Sequence, residues 1–164
     1  MFERHSEHGQ PSEAGLKERR IKTMIEEIGL KVKTASKEAA KLSTAEKNTF
    51  LQKLADSLVE NTDRIISENA KDLAKAKGHG ISEIIIDRLL LTAQRISDMA
   101  TGLRQVAELP DPIGQVLQGF TNLDGLKIVQ KRVPLGTVGM IFESRPNVTI
   151  DAFSLCFKTG NSVL

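Results

Sequence analysis

The sequence predicts an α/β fold in which helices come first, a two-stranded ribbon follows, and a strand–helix–strand unit closes the chain. Three observations carry this reading. Apolar residues recur at spacings of three and four through most of residues 21–110, the period of one buried helix face. Two alternating runs, Gln115–Phe120 and Leu126–Val133, flank Thr121-Asn-Leu-Asp-Gly125, and Asp-Gly between such runs is a hairpin signal. Beyond them Val138, Met140 and Phe142 alternate with Gly139 and Ile141, helical spacing resumes from Val148 through Ala152, Leu155 and Cys156, and Ser162-Val163-Leu164 opens another strand. Strand, polar turn, helix, strand is a βαβ unit with parallel strands.

In order along the chain, residues 1–20 mix His5, His8, Gly9, Pro11 and Gly15 with balanced charge and little apolar content, which predicts a disordered tail. Two histidines with no further ligands nearby do not make a metal site. Residues 21–110 are the helical part. Ile21–Leu42 puts Ile25, Ile28, Val32, Ala35, Ala39 and Leu42 on one side, with Lys33, Lys37 and Lys41 on another. Ser43 with Glu46 is a capping box and opens a helix whose apolar face is Phe50, Leu51, Leu54, Leu58 and Val59. Asn61 is expected to cap the next helix, with Ile65, Ile66, Ala70 and Leu73 inward, until Gly78-His79-Gly80 turns the chain. Ser82 is placed as the cap of a short helix through Leu89. Thr92 caps a longer one burying Ile96, Met99, Ala100, Leu103 and Val106, which Leu109-Pro-Asp-Pro closes. Residues 113–134 form the ribbon, whose outer edge is either covered or paired with another chain. Residues 135–164 start a parallel sheet.

The chain has 164 residues, 40% hydrophobic and 27% charged, with a net charge of +2. That is ordinary for one globular domain with a core and too weak a charge to call for nucleic acid or a membrane surface. Tyr and Trp are absent, so base-stacking platforms are not expected. A single cysteine leaves no internal disulfide, and nothing around it has metal-ligand spacing. No apolar run reaches the length of about 18 residues that a span needs, and the N-terminus lacks a secretory core segment. A cytoplasmic protein with no metal is the expectation.

Ligands of parallel sheets sit at the carboxyl ends of strands, which here means Glu143 to Asn147. Arg145 offers a planar, permanently charged fork for carboxylate or phosphate. Asn147 offers an amide donor for an oxygen gaining charge in a transition state. Both open a helix, where free backbone N–H groups favour anions, and Pro146 fits its first turn. The bland alternative is a surface turn with an N-terminal cap. Gly136 and Gly139 give Gly-x-x-Gly rather than a dinucleotide fingerprint, which serves close packing as readily as a cofactor. Cys156 lies mid-helix between Leu155 and Phe157, the setting of a small buried hydrophobe rather than of a reactive thiol. A non-catalytic helical module, with the Lys33, Lys37, Lys41 stripe on an acidic partner, is the competing class.

The run Pro134-Leu-Gly-Thr-Val-Gly-Met-Ile-Phe-Glu-Ser-Arg-Pro-Asn-Val-Thr149 and the later Lys158-Thr-Gly-Asn-Ser-Val163 resemble the γ-glutamyl phosphate reductase (glutamate-5-semialdehyde dehydrogenase) branch of the aldehyde dehydrogenase superfamily. Asp87-Arg88-Leu89 and the stretch from Arg95 to Leu103 are also similar, so the resemblance covers about residues 31–164. It implies N-terminal helices, an oligomerisation ribbon and the first βαβ unit of a truncated aldehyde-dehydrogenase-like cofactor domain. It further implies an NADPH-dependent reduction of L-glutamyl 5-phosphate to L-glutamate 5-semialdehyde in proline biosynthesis, in a homo-oligomer paired through residues 113–134. A cysteine thiolate displaces phosphate in that chemistry, from a later motif that this chain does not reach, so the chain alone is expected to be inactive. By the same resemblance Asn147 is the catalytic oxyanion donor, Ser144 and Arg145 meet the substrate, and Gly139, Glu143 and Ser144 meet the cofactor. Arg145 on a cofactor phosphate, and another enzyme of the superfamily acting on a free aldehyde, stay as alternatives.

Overall fold

The computed structural model describes residues 13–164, so His5, His8 and residues 1–12 of the tail expected over 1–20 lie outside the described residues. Six helices and two small sheets follow one another. Helix α1 is Glu13–Ala39, starting ahead of the expected Ile21 and stopping short of Leu42. The stretch read as the end of a tail is therefore helical. Its Ala, Leu, Lys, Glu and Arg residues are strong helix formers, and extending an existing helix costs far less than nucleating one.

Helix α2, Thr44–Glu60, begins in the capping box: the Ser43 hydroxyl accepts from the Glu46 N–H, and Glu46 accepts from the Ser43 N–H at 2.8 Å. Helix α3 is Thr62–Gly78. Asn61 does not cap it with its side chain; the Asn61 amide instead donates to the Ser57 carbonyl at 2.8 Å, closing the end of α2. Helix α4, Glu83–Leu89, starts after Ser82, whose side chain makes no cap bond. Helix α5, Ala93–Glu108, is capped by Thr92, which accepts from the Arg95 N–H at 3.1 Å.

The core lies between α2 and α5. Leu51 and Ala55 meet Ala100, Leu103 and Ala107, with Leu54, Leu58 and Val106 packed against them. Three alanines at this seam let the two helices approach closely, and fully buried Leu51 and Leu103 each contribute about 1.5–3 kcal/mol. From the last helix, Phe153 and Phe157 close over the seam, stacked on each other and tilted against half-exposed Phe50, with centroids 4.9–6.0 Å apart. Ile25, Ile28 and Val59, expected inward, are exposed.

One polar node is buried in this core. Lys47 forms an ion pair with Asp111 and donates to the Lys158 carbonyl at 3.1 Å. Lys158 donates to Asn48 Oδ1 at 2.5 Å and to the Ala107 carbonyl at 2.8 Å. Asp111 also accepts from the Thr44 hydroxyl at 2.9 Å and the Ile113 N–H at 3.0 Å. Burial by itself pushes the Asp111 carboxyl up, but the bonds from Lys47, Ile113 and Thr44 outweigh it and hold it below the usual carboxylate range. Burial pushes Lys158 below the usual lysine range, with Asp111 opposing and Lys47 adding to the shift.

Strands β1 (Val116–Thr121) and β2 (Lys127–Lys131) form the expected antiparallel ribbon, with a register irregularity between Val116 and Gln118. Asn122 Oδ1 accepts from the Asp124 and Leu126 N–H groups, and Gly125 supplies the left-handed φ of 81°. Every residue of both strands is exposed. Strand β3, Thr137–Val138, pairs in parallel with β4, Ser162–Val163, across helix α6, Pro146–Lys158. The pairing is shorter than the alternation suggested. Its last bond is from the Met140 N–H to the Leu164 carbonyl, and Ile141 beyond it is fully exposed.

Asn161 ties the unit together, accepting from the Gly136 N–H at 2.8 Å and donating to Thr159. Gly160 has φ 69°, and a Cβ there would sit 3.0 Å from Pro134, so both the backbone and the packing require glycine. Among the described residues no helix is long and apolar enough to cross a membrane, and no group of three or more acidic, His or Cys residues could hold a metal.

Candidate functional site

Between β3 and α6 the chain makes the turn that the sequence singled out. Ser144 takes φ 52°, the one non-glycine residue with positive φ among those described, a conformation that L-residues adopt at a cost. Arg145 is the N-cap of α6 in extended conformation, and its side chain caps nothing. Pro146 is the first helical residue, and the Val148 N–H tightens the turn onto the Arg145 carbonyl at 3.0 Å.

The first turn of α6 faces helices α4 and α5 across a cleft of about 380 Å³. Arg145, Pro146 and Asn147 line one side, and Asp87, Arg88, Leu90, Leu91, Arg95 and Asp98 the other. Arg95 is locked: it donates to the Leu90 carbonyl at 2.7 Å and to the Asp87 carbonyl, and pairs with the Asp87 carboxylate at 3.2 Å. Asp98 accepts from the Gln94 amide at 2.9 Å. The side chains of Arg88 and Arg145 have no hydrogen-bond or ion-pair partner among the described residues. The loop beneath is fixed by buried Asn69, which donates to the Leu89 carbonyl at 2.9 Å and accepts from the Leu91 N–H at 2.8 Å. The cleft thus presents two unpaired guanidiniums on a backbone held from below, an arrangement suited to an anionic group.

No protein-family model matches the chain. Among solved structures, γ-glutamyl phosphate reductase from Thermotoga maritima matches with TM-score 0.78 and 39% identity, over 81% of this chain and 32% of that one. The γ-glutamyl phosphate reductase from Saccharomyces cerevisiae matches with TM-score 0.77 and 33% identity, over 84% of this chain and 35% of that one. The chain is a relative of the γ-glutamyl phosphate reductases. It spans about a third of the length of these two.

In this reductase relative, the structure brings Arg145 and Asn147 to the cleft but not Glu143, Ser144 or Gly139, which do not line it. Asn147 departs from the expected aim. Its amide donates to the Asp151 carboxylate at 3.2 Å, one turn along the helix surface, which leaves one N–H for any other acceptor. Glu143 and Gly139 are exposed and Ser144 half-buried. A Cβ at Gly139 would meet nothing within 4 Å, so no close approach within the described chain demands glycine there. Cys156 is buried and its thiol is pushed up by desolvation, which disfavours the thiolate.

Sequence reasoning passed over Arg88, Arg95, Asp98 and Asn69 as site residues. The signal for the first three was charge set into an apolar helical stretch, Asp87-Arg88 and Arg95 to Asp98. Asn69 had none, because Ala70 was placed inward in its stead, whereas Ala70 is exposed.

Proposed function

We propose that this chain contributes the wall of the substrate site in an NADPH-dependent reduction of L-glutamyl 5-phosphate to L-glutamate 5-semialdehyde, a step of proline biosynthesis in the cytoplasm. The observation that carries the proposal is Arg145, unpaired at the mouth of the cleft and at the start of α6, in a chain 39% identical to a reductase of that name. Arg145 holds an anionic group of the substrate, and Ser144 lies beside it. The second N–H of Asn147 donates to the carbonyl oxygen as charge builds there, once Asp151 shares or releases the amide. NADPH, when bound, supplies the hydride. Glu143 and Ser144 offer it an exposed carboxylate and a hydroxyl that suit ribose oxygens, while the open space at Gly139 gives that residue no evident part.

Cys156 stays out of the chemistry in this reading, because covalent catalysis needs an accessible, activated thiolate, and the chain by itself turns over no substrate. The exposed ribbon supports pairing with a second copy, since Val116, Phe120 and Ile128 are large apolar residues left exposed on it. A lysine-stripe module is less well supported: Lys41 lies beyond the end of α1 and pairs with Glu38 at 2.7 Å.

A chimera tests the proposal. Residues 31–164 of this chain replace the matching segment of the Thermotoga maritima enzyme, and phosphate-dependent reduction of NADP by glutamate 5-semialdehyde is assayed. Activity is expected, with Arg145→Lys raising KM because a ground-state contact is lost. Asn147→Ala is expected to lower kcat by roughly 10²–10³. A folded chimera with no activity, or with normal kinetics in both variants, would make the turn structural.

A further inference from the structure

The cleft beside the turn holds three guanidiniums, Arg88, Arg95 and Arg145, against two carboxylates, Asp87 and Asp98. Arg95 and Asp87 neutralise each other, and Leu90 takes up the rest of the Arg95 fork. Asp98 bonds only to a neutral amide, Gln94. What remains is two cations on different elements, Arg88 in α4 and Arg145 at the start of α6, with one anion, Asp98, in the same cleft. Like charges drawn to one concave surface repel each other and concentrate counter-ions between them. A small ligand with an anionic group at each end matches two forks better than one with a single charge, and an ammonium on that ligand matches Asp98.

We propose that Arg88 is a specificity-determining residue of this site. It holds the carboxylate end of a small α-amino acid that carries an anionic group at each end, whose other end lies at Arg145, with Asp98 receiving the ammonium. The inference rests on reading the turn as the substrate site, and it adds the chemistry that selects the far end of the substrate.

The 164-residue chain itself can be titrated with L-glutamate, glutarate, butyrate and inorganic phosphate, following backbone amide shifts by NMR. L-glutamate and glutarate are expected to move the amides around Arg88 and Arg145. Arg88→Gln is expected to weaken both dicarboxylates by roughly 3- to 10-fold, the scale of one exposed charge-assisted fork, and to leave butyrate unchanged. Arg145→Gln should weaken all four probes, and Asp98→Asn should weaken L-glutamate but not glutarate. Arg88 is exposed, so its variant is expected to melt with the parent. If Arg88→Gln leaves L-glutamate binding intact while Arg145→Gln weakens it, the role of Arg88 is wrong and the turn keeps its function. If Arg145→Gln changes nothing, or no probe shifts the cleft amides up to about 50 mM, far weaker than specific recognition, both readings fall.

Discussion

Replacing Lys47 by methionine tests the buried node most directly. Methionine keeps the length and apolar stem of lysine but removes the ammonium that pairs with Asp111 and donates to the Lys158 carbonyl. Lys47 is among the most deeply buried side chains and Asp111 is nearly buried, so the lost partner is not simply replaced by water. Breaking a buried pair from one side costs about 3–5 kcal/mol. Two features place this case at the lower end. Asp111 keeps its bonds from Thr44 and Ile113, and removing the Lys47 charge relieves Lys158, which that charge disfavours. A loss of about 3 kcal/mol is therefore expected, or roughly 6–12 °C in Tm for a chain of this size. Urea unfolding should show a lower midpoint with an unchanged slope. Lys47→Met combined with Asp111→Leu should recover most of the loss, because an apolar replacement of both partners leaves no orphan charge. A single-variant loss below about 1 kcal/mol, the net worth of one ordinary hydrogen bond, would refute the reasoning and mean that the node is hydrated.

The same node sets a pH dependence. Asp111 has a lowered folded pKa, so its stabilisation is present above the unfolded value of about 3.9 and is lost as pH falls through the folded value. Urea midpoints between about pH 6 and 2 should fall in that window, and Asp111→Asn should flatten the fall. Lys158, also lowered, disfavours the folded state while protonated, so its part of the stability rises only as pH climbs through its folded value toward about 10.4. Asn69→Ala leaves the buried Leu91 N–H without its acceptor, at a cost of about 1–3 kcal/mol, and hydrogen exchange at Leu91 should speed up by roughly tenfold or more. Ser144→Gly removes the strain of φ 52° and should stabilise the chain by up to about 1 kcal/mol; a lower melting temperature would show that the hydroxyl has a partner.

The elements that were legible in the sequence are those written in apolar spacing and turn chemistry. The ribbon with its Asp124-Gly125 turn, the capping box at Ser43 and the Thr92 cap stand where the pattern put them, and the β3–α6–β4 unit has the expected order with β3 at Thr137–Val138 rather than along the Val138–Phe142 alternation. What the pattern concealed is polar and buried. Periodicity counts apolar residues, so it passes over Lys47, Asn69 and Lys158, which are buried for their hydrogen bonds. It also overstates α1, where Ile25 and Ile28 share a face with Val32 and Ala39 but are exposed, while Val32 and Ala39 are half-buried. Periodicity says which residues share a face, and not whether anything lies across it. The candidate site was half legible for a related reason. Arg145 could be read from the turn, but its cleft comes from helices some fifty residues earlier, and only the fold brings Arg88 beside it.

The distribution of order around that cleft bears on its role. Its floor is held by Asn69, its far wall by the Arg95–Asp87 pair, and the strand leading to it by the Asn161 bond to Gly136. The turn itself is locally strained. The one non-glycine residue with positive φ among those described falls at Ser144, α6 like α3 and α4 starts without a side-chain cap, and Glu143, Arg145 and Asn147 are exposed. A surface turn selected only for stability would be expected to carry a capping residue at position 145 and glycine at 144, since both changes lower the free energy of the fold. A strained residue next to an unpaired arginine at the edge of a cleft is the pattern of a site whose residues answer to a ligand. The strain is small, and a well-anchored frame can carry it. That is the physical case for placing the chemistry at this turn rather than at Cys156, which is buried and sits at ease in the middle of its helix.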